Sequence, residues 1–303
     1  MQILVTGSSG FIGQKLTPQL RKSGHAIISW PRTDDFDLAA NAADEVPASW
    51  IELLEGSDTV AHLAGLAHQT QSHRNDEQYF RINRDGTLRL AAAAHAAGVK
   101  RFIFLSSAKV FGEGGDVTYC DSTEPAPQDA YAQSKWQAEQ LLMEQFSDRM
   151  DIIILRPPLV YGNNAKANFG ALMRLARLPL PLPLAGIDNR RALIGIDNLI
   201  DLIERCLTHP NAANKTLLCA DAELYSLPSI VTAIRRADNR RANLFHLPQP
   251  LLKLVAMLLG KARSSRLLGD FRMDCSTTYE LLDWQPPFTM EQILRNHPRT
   301  DIT

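Results

Sequence analysis

The stretch MQILVTGSSGFIG, residues 1–13, decides the fold, because a short apolar run opens directly into three spaced glycines. The run before the glycines has the character of a buried parallel strand. Apolar residues then recur at Ile12, Leu16 and Leu20, a spacing that predicts one face of a helix. Glycines at a strand-to-helix junction let the backbone turn tightly and bring free N–H groups close to phosphates. The stretch therefore predicts the phosphate-binding turn of a dinucleotide site.

The first half of the chain continues this alternation of strands and helices. Further strands are predicted at Ala26–Ser29, Thr59–Leu63, Arg101–Leu105 and Ile152–Leu155, with helices at Leu88–Ala97 and Ala130–Glu144. Such alternation indicates βαβ units, so the predicted fold class is α/β, a Rossmann-type doubly wound parallel sheet. Prolines cluster at residues 178–186, and later helices are separated by loops. We expect a nucleotide-binding domain at residues 1–160 and a smaller C-terminal substrate-binding lobe at residues 161–303, with some chain crossing between them.

Composition and charge exclude several classes of protein. With 32 basic and 33 acidic residues the net charge is -1, whereas nucleic-acid and membrane-surface binders usually carry a basic excess. The longest apolar candidate, Leu251–Leu259, is much shorter than the roughly 18 residues needed to span a bilayer. The four cysteines lie far apart without a histidine at ligand spacing, which indicates reduced thiols and no metal site. We expect a cytoplasmic protein that binds no nucleic acid and does not insert into a membrane.

The contacts to the cofactor phosphates are assigned to the glycine loop and the start of the first helix. They are Gly7, Gly10, Phe11, Ile12 and Gly13. The helix N-terminus adds unpaired N–H groups that attract a pyrophosphate. A GxxGxxG pattern alone also occurs in tight turns without a ligand, so its place at the first strand-to-helix junction is what makes the assignment specific.

The residues after the second strand bear on the choice between NAD and NADP. An acidic side chain there accepts the ribose hydroxyls of NAD and repels the 2′-phosphate of NADP. Pro31 takes the usual acidic position and Arg32 follows, and a guanidinium suits a phosphate. The pattern slightly favours NADP. The alternative is that Arg32 is a solvated loop residue and that Asp34 or Asp35 meets the ribose. The residues predicted to frame the adenine are Asp37 and Leu38.

A second set of residues carries acid–base chemistry. In YAQSK, residues 131–135, Tyr131 and Lys135 are four positions apart and leave one face of a helix. An ammonium beside a phenol lowers the pKa of the phenol, so we expect Tyr131 to exchange a proton with a substrate hydroxyl near neutral pH. Lys135 can also hold the nicotinamide ribose. YxxxK is common by chance, and the alternative is an ordinary exposed helix pair.

A strand-end serine completes this catalytic set. Ser107 lies in LSSAKVFG, residues 105–112, at the carboxyl end of a predicted strand, where ligands of doubly wound folds bind. Its hydroxyl can polarise the same substrate oxygen that Tyr131 addresses. We expect Ser106 to be structural.

Several motifs in order along the chain carry a resemblance to a known family. They are TGSSGFIG (6–13), DTVAHLAG (58–65), RINRDGT (81–87), LSSAKVFG (105–112), YAQSK (131–135) and LRPPLVYG (155–162). From Met1 to about Trp284 the chain resembles the extended short-chain dehydrogenase/reductase family, in its sugar-nucleotide epimerase and dehydratase branch. The resemblance implies that Asn83 steadies the active-site backbone and that the 62–65 segment runs under the cofactor. The further cofactor contacts that it implies are Leu63, Ala64, Gly65, Asn83, Lys135 and Pro158.

The resemblance also implies a substrate site in the second lobe and a partner subunit. An arginine of this lobe would meet the diphosphate of a UDP-sugar, and the stretch NRRALIGIDN, residues 189–198, makes Arg191 the candidate, with Arg190 as its competitor. Asn168 is a candidate phosphate contact. The alternative is that these arginines are surface charge near a loop. A homodimer through a four-helix contact is usual in the family and is expected here.

Two departures from the family patterns narrow the reaction. Ala108 and Lys109 stand where sugar-nucleotide 4,6-dehydratases carry Asp and Glu, and alanine cannot act as an acid, so we exclude a dehydratase. The Arg-x-x-Asp pattern that clamps uridine in galactose-type epimerases is not evident between Arg266 and Asp274. This second departure argues against a standard UDP-glucose 4-epimerase.

Two enzymatic reactions and one regulatory role remain open. Residues 181–203 resemble bacterial reductases that form UDP-N-acetylquinovosamine, and with Pro31 and Arg32 they favour reduction of a UDP-4-keto-6-deoxy-N-acetylhexosamine in surface polysaccharide synthesis. The alternative is a 4-epimerase of a UDP-hexose or UDP-N-acetylhexosamine, which uses the same three catalytic residues. A cofactor-sensing regulator without catalysis is the second alternative, although such proteins typically lose the Tyr or the Lys.

Overall fold

A computed structural model of the chain describes residues 1–31, 33–39, 46–67, 76–163, 165, 167–248 and 268–296. Arg32, on which the NADP expectation rests, lies outside the described residues, as do the apolar segment 251–259 and Arg266. The backbones of Asp35 and Asn168 are described, whereas their side chains are not.

A parallel sheet forms the centre of the molecule. The described strands are β1 (Gln2–Thr6), β2 (Ala26–Ser29), β3 (Thr59–His62), β4 (Arg101–Leu105), β5 (Thr118–Tyr119), β6 (Asp151–Arg156), β7 (Leu159–Tyr161), β8 (Leu193–Gly195), β9 (Lys215–Leu218) and β10 (Arg272–Met273). Six of them make one parallel sheet in the order β2-β1-β3-β4-β6-β9. The order reverses direction between β1 and β3, where doubly wound folds bind their ligands. The predicted α/β class is confirmed.

The described helices cover both faces of this sheet. They are α1 (Gly13–Lys22), α2 (Ala48–Leu54), α3 (Asp76–Tyr79), α4 (Gly86–Ala96), α5 (Ala130–Phe146), α6 (Ala167–Ala176), α7 (Ile196–Thr208), α8 (Leu227–Ala237), α9 (Ser276–Leu282) and α10 (Met290–Arg295). A π-helical turn, Phe80–Asp85, joins α3 to α4. None of these helices is both long and apolar enough to cross a membrane.

The side chains of successive strand residues pack into two apolar layers, one on each face of the sheet. Ile103 and Ile153 belong to the layer under α1 and α7, whereas Phe102 and Ile152 belong to the layer under α4 and α5. All four are fully buried. Side chains of successive strand residues point to opposite faces, so a sheet covered on both sides requires a nearly continuous apolar run.

Strands from the two predicted lobes pair with each other. The strand β9 comes from the predicted C-terminal lobe, yet it forms the edge of the main sheet beside β6. The small parallel sheet of β5 with β10 also joins an early and a late segment, and β7 pairs with β8 in a second small sheet. The division at residue 160 stays a prediction about domain organisation.

Candidate active site

The glycine loop adopts a turn that only glycine fits. Gly7 has a φ of 67°, and a Cβ built there would lie 2.8 Å from the Ala64 nitrogen. A Cβ on Gly13 would collide with the Gly7 carbonyl oxygen. The Gly10 N–H donates to the same carbonyl over 2.9 Å, and the helix α1 begins directly afterwards. Because these glycines carry no Cβ, the backbone N–H groups at the start of α1 can approach a pyrophosphate closely.

A buried histidine ties the end of β1 to this region. His62 Nδ1 lies 2.7 Å from Thr6 Oγ1, and Nε2 lies 2.9 Å from Thr87 Oγ1. The Thr87 hydroxyl donates to the Asn83 carbonyl, so it accepts from Nε2–H. The Thr6 hydroxyl accepts from the Ala64 N–H and donates to Nδ1. Burial lowers the pKa of His62 to about 3, so the ring is neutral.

Asn83 holds the segment that follows β3. Its side-chain oxygen accepts the Leu66 N–H at 2.8 Å, and its amide donates to the Leu66 carbonyl and to Ser134 Oγ, each at 3.0 Å. A Cβ on Gly65 would lie 3.0 Å from the Asn83 side-chain oxygen and 3.2 Å from Lys135 Nζ. The side chain of Asn83 therefore ties the backbone at Leu66 to α5, and its role beside a cofactor stays a prediction.

Tyr131 and Ser107 meet at the carboxyl end of β4. The Ser107 hydroxyl is close enough to Tyr131 to lower the pKa of the phenol through a hydrogen bond. The ring of Tyr79 contacts Tyr131 edge to face, with centroids 6.0 Å apart. Burial outweighs the serine and raises the pKa of Tyr131 to about 12, with Asp129 and Tyr79 adding to the rise. The expected net lowering of the Tyr131 pKa is therefore wrong for the chain by itself, because desolvation dominates.

Lys135 is buried on the same face of α5. Its Nζ donates to the Leu105 carbonyl at 2.9 Å and lies 4.4 Å from the centroid of the Phe104 ring. Burial lowers the pKa of Lys135 to about 7, while Glu139 one turn later raises it. An exposed helix pair is excluded as an account of Tyr131 and Lys135, since only 4% of Lys135 is exposed.

The two neighbouring serines differ in their surroundings. Ser107 precedes a short 3₁₀ turn, and its hydroxyl oxygen accepts the Lys109 N–H at 3.2 Å. Ser106 is buried, and its hydroxyl donates to the carboxylate of Glu139. Ser106 therefore contacts a buried carboxylate and not the site, whereas Ser107 is half-buried beside Tyr131.

A charged cluster that was not predicted lies next to this set. Lys109 Nζ lies 2.5 Å from Asp129 and 3.2 Å from Glu113. Asp129 also caps α5 by accepting the Ala132 N–H at 2.8 Å. A Ser/Thr/Asp/Asn cap directly before a helix was a readable signal. Its ion pair with Lys109, twenty residues earlier, was not.

The residues predicted to lie near the adenine and its ribose are Pro31, Asp37 and Leu38. Leu38 is buried and its carbonyl accepts from Arg89 Nη2 at 2.7 Å. Asp37 is exposed and accepts the Ala39 N–H. Pro31 is half-buried and offers no carboxylate at the usual ribose position.

The predicted diphosphate arginine is held mainly by backbone. Arg191 pairs with Tyr225 in a β-bridge, and its Nη1 donates to the Gly269 carbonyl at 2.8 Å. Burial lowers the pKa of Arg191, although Asp270 and Glu113 oppose the shift. The competing candidate Arg190 is exposed, and its backbone N–H donates to the Asp270 carboxylate.

The remaining predicted residues occupy positions around these groups. Phe11, Ile12 and Leu63 are half-buried and pack against the core layer under α1. Pro158 is half-buried between β6 and β7, and Asn168 lies in α6. Contacts with a cofactor or substrate stay predictions for all of them.

Comparisons with known proteins identify the family of the chain. A model of the NAD dependent epimerase/dehydratase family matches residues 3–220. A protein of Vibrio cholerae named UDP-glucose 4-epimerase is 39% identical, over 96% of this chain and 92% of its own length.

Solved structures share the fold at low sequence identity. UDP-N-acetylglucosamine 4-epimerase from Bacillus cereus superposes with a TM-score of 0.76 at 19% identity, covering 98% of this chain and 97% of that one. RMD from Pseudomonas aeruginosa, complexed with NADPH, gives 0.72 at 23% identity, covering 97% and 96%. The glycine cradle, the Ser-Tyr-Lys set and the family match together lead to one conclusion. This chain belongs to the NAD-dependent epimerase/dehydratase family of extended short-chain dehydrogenase/reductase enzymes.

Proposed function

We propose that the chain exchanges a hydride and a proton at C4 of a UDP-sugar, and that the net reaction is C4 epimerisation. The observation that carries this proposal is the meeting of Ser107, Tyr131 and Lys135 at the carboxyl end of β4. The near full-length similarity to the Vibrio cholerae protein named UDP-glucose 4-epimerase supports the choice of epimerisation. The sequence alone favours reduction, so the similarity changes the preferred reaction but not the catalytic set.

The residues present fit a nicotinamide dinucleotide. The cradle excludes a Cβ at Gly7 and Gly13 and leaves N–H groups for the phosphates. Lys135 Nζ lies beside Gly65, so its ammonium would hold the nicotinamide ribose. When bound, the oxidised nicotinamide would supply a hydride acceptor and a positive charge.

Tyr131 is the group that moves the substrate proton. With its pKa raised to about 12, Tyr131 is protonated at neutral pH and is ready to donate to a 4-keto oxygen. Removing the proton of a 4-hydroxyl requires the phenolate, and the Lys135 ammonium favours that form by its charge. Ser107 donates a hydrogen bond to the same substrate oxygen. Both directions of proton transfer are needed in an epimerase.

Single-step reduction of a UDP-4-keto-6-deoxy-N-acetylhexosamine is the second candidate. Pro31 favours it, because the usual acidic ribose ligand of NAD enzymes is replaced there. With Arg32 adjacent in sequence, we propose that NADP binds more tightly than NAD. Comparing the affinities of both cofactors in Arg32→Ala tests this preference, and an unchanged ratio would reject it.

Two incubations separate the candidates. Purified protein with UDP-N-acetylglucosamine or UDP-glucose and NAD is analysed for the C4 epimer, and a second sample receives NADPH with the 4-keto-6-deoxy sugar. Epimer without net change in nicotinamide absorbance supports epimerisation. Consumption of NADPH in the second sample, without epimer in the first, would replace it by reduction.

We also propose a homodimer through α4 and α5. Three residues recur at four-residue spacing and are half-buried: Arg84 in the π-helical turn, and Leu88 and Ala92 on α4. Gln137 and Leu141 on α5 are half-buried as well. Arg84 Nη1 donates to Gln137 Oε1 at 2.8 Å, so the two rows meet. Light scattering tests the dimer, with Leu141→Glu expected to give a monomer.

A further inference from the structure

Glu139 continues the row of functional residues on α5. Tyr131, Lys135 and Glu139 are spaced four apart, so they lie along one helix face. Glu139 is 2% exposed. Its carboxylate accepts from Arg156 Nη2 at 2.6 Å and Nε at 3.1 Å, and also from the Ser106 hydroxyl. A buried ion pair with several hydrogen bonds is expensive to break, so it fixes its neighbours.

The partners of Glu139 hold the strand ends on either side of Ser107. The Ser106 N–H donates to the Leu155 carbonyl and the Ala108 N–H to the Pro157 carbonyl, each at 2.8 Å. Arg156 lies between these two acceptors on β6. Ser107 is thus enclosed by two backbone bonds, and Glu139 binds a side chain from each strand.

Leu105, the last residue of β4, and Ser106 directly after it each form a hydrogen bond with a side chain of α5, and the two side chains are one helical turn apart. The Leu105 carbonyl accepts from Lys135 Nζ, and the Ser106 hydroxyl donates to Glu139 one turn later. A slide of α5 along β4 would break both bonds. The pair of contacts therefore sets how far Tyr131 lies from Ser107.

We propose that Glu139, held by Arg156, is a positioning residue that fixes Ser107 against Tyr131 and keeps Lys135 cationic. The inference rests on the proposed role of the Ser-Tyr-Lys set. Glu139 does not touch the substrate and takes no part in proton transfer.

The charges around Lys135 support the second half of this role. Burial lowers the pKa of Lys135 and the Glu139 charge raises it, and the net result is a pKa of about 7. His62 faces Lys135 from β3 and is neutral. Tyr131 is one turn earlier on α5, with Asp129 near its phenol. Loss of the Glu139 charge would therefore deprotonate Lys135 at lower pH.

Glu139→Gln is the test, because it keeps the shape and removes the charge. Glu139 and Arg156 line a cavity of about 370 Å³ in which water can solvate the unpaired guanidinium. The matched control is Asp151→Asn, which breaks the 2.8 Å pair with Arg101 at the other end of the same two strands. The readout is the dissociation constant of NAD against pH, since it needs no knowledge of the sugar.

In the wild type we expect the affinity for NAD to fall as the pH rises above the pKa of Lys135. In Glu139→Gln the midpoint of this pH profile should move down by about one pH unit. The midpoint of Asp151→Asn should stay at the wild-type value. Coinciding midpoints in all three proteins would overturn the inference.

Ser106→Ala covers the case in which Glu139→Gln does not fold. It removes one hydroxyl and leaves the ion pair, so we expect kcat to fall several-fold with KM and the pH midpoint unchanged. An unchanged kcat would also overturn the positioning role. If the wild type binds NAD but turns over no UDP-sugar, the proposed function fails, while the shift in the NAD midpoint still decides the role of Glu139.

Discussion

Mild acid should destabilise the protein through His62. The ring is fully buried and neutral, with its pKa lowered from 6.5 to about 3. The unfolded chain therefore binds this proton at higher pH than the folded chain, so its contribution to stability is complete above pH 6.5 and is lost as the pH falls toward 3. At about pH 5 the loss is roughly 2 kcal/mol, from 1.36 kcal/mol for each unit below the unfolded value.

Urea unfolding of the wild type and of His62→Gln measures this loss. The variant removes the titrating group, so it should be less stable near pH 7.5 yet lose about 2 kcal/mol less than the wild type on going to pH 5. His25→Gln, at a half-buried histidine outside this hydrogen-bonded network, is the control and should keep the wild-type slope. Equal slopes in the wild type and His62→Gln would refute the assignment of a buried neutral ring.

Three further substitutions test the site. Tyr131→Phe should lower kcat by about 10²–10⁴-fold while NAD affinity in a fluorescence titration stays intact, and a near-normal rate would reject the acid–base role. Gly13→Ala places a Cβ against the Gly7 carbonyl, so NAD affinity should fall and the unfolding free energy should drop by about 1–3 kcal/mol; normal NAD binding would contradict the cradle. Asn83→Ala leaves both polar groups of Leu66 without their partner and should cost about 1–3 kcal/mol in urea unfolding, and a neutral result would remove Asn83 from its supporting role.

The parts of the fold that were predictable are local in sequence. The first βα unit follows from three glycines and a four-residue apolar repeat, and the i, i+4 spacing places Tyr131 and Lys135 on one face of α5. The predicted boundaries differ from those of the structure by only one or two residues, which is the usual uncertainty at the end of an element.

The parts that were missed depend on distant partners and on burial. Glu139 pairs with Arg156 across two elements, and His62 bonds to Thr6 over 56 residues. No spacing rule connects such residues. The direction of the Tyr131 pKa shift was wrong because the ammonium is visible in the sequence, whereas desolvation is a property of the folded chain.

The most direct test follows deuterium at C4 of the sugar. UDP-N-acetylglucosamine and UDP-glucose labelled with deuterium at C4 are incubated with the protein and NAD, and the products are examined by NMR. We expect the C4 epimer to keep deuterium at C4, because the hydride leaves and returns at that carbon, and Tyr131→Phe should give no product. An epimer formed with solvent hydrogen entering another ring carbon, or no change in either sugar, would contradict the account.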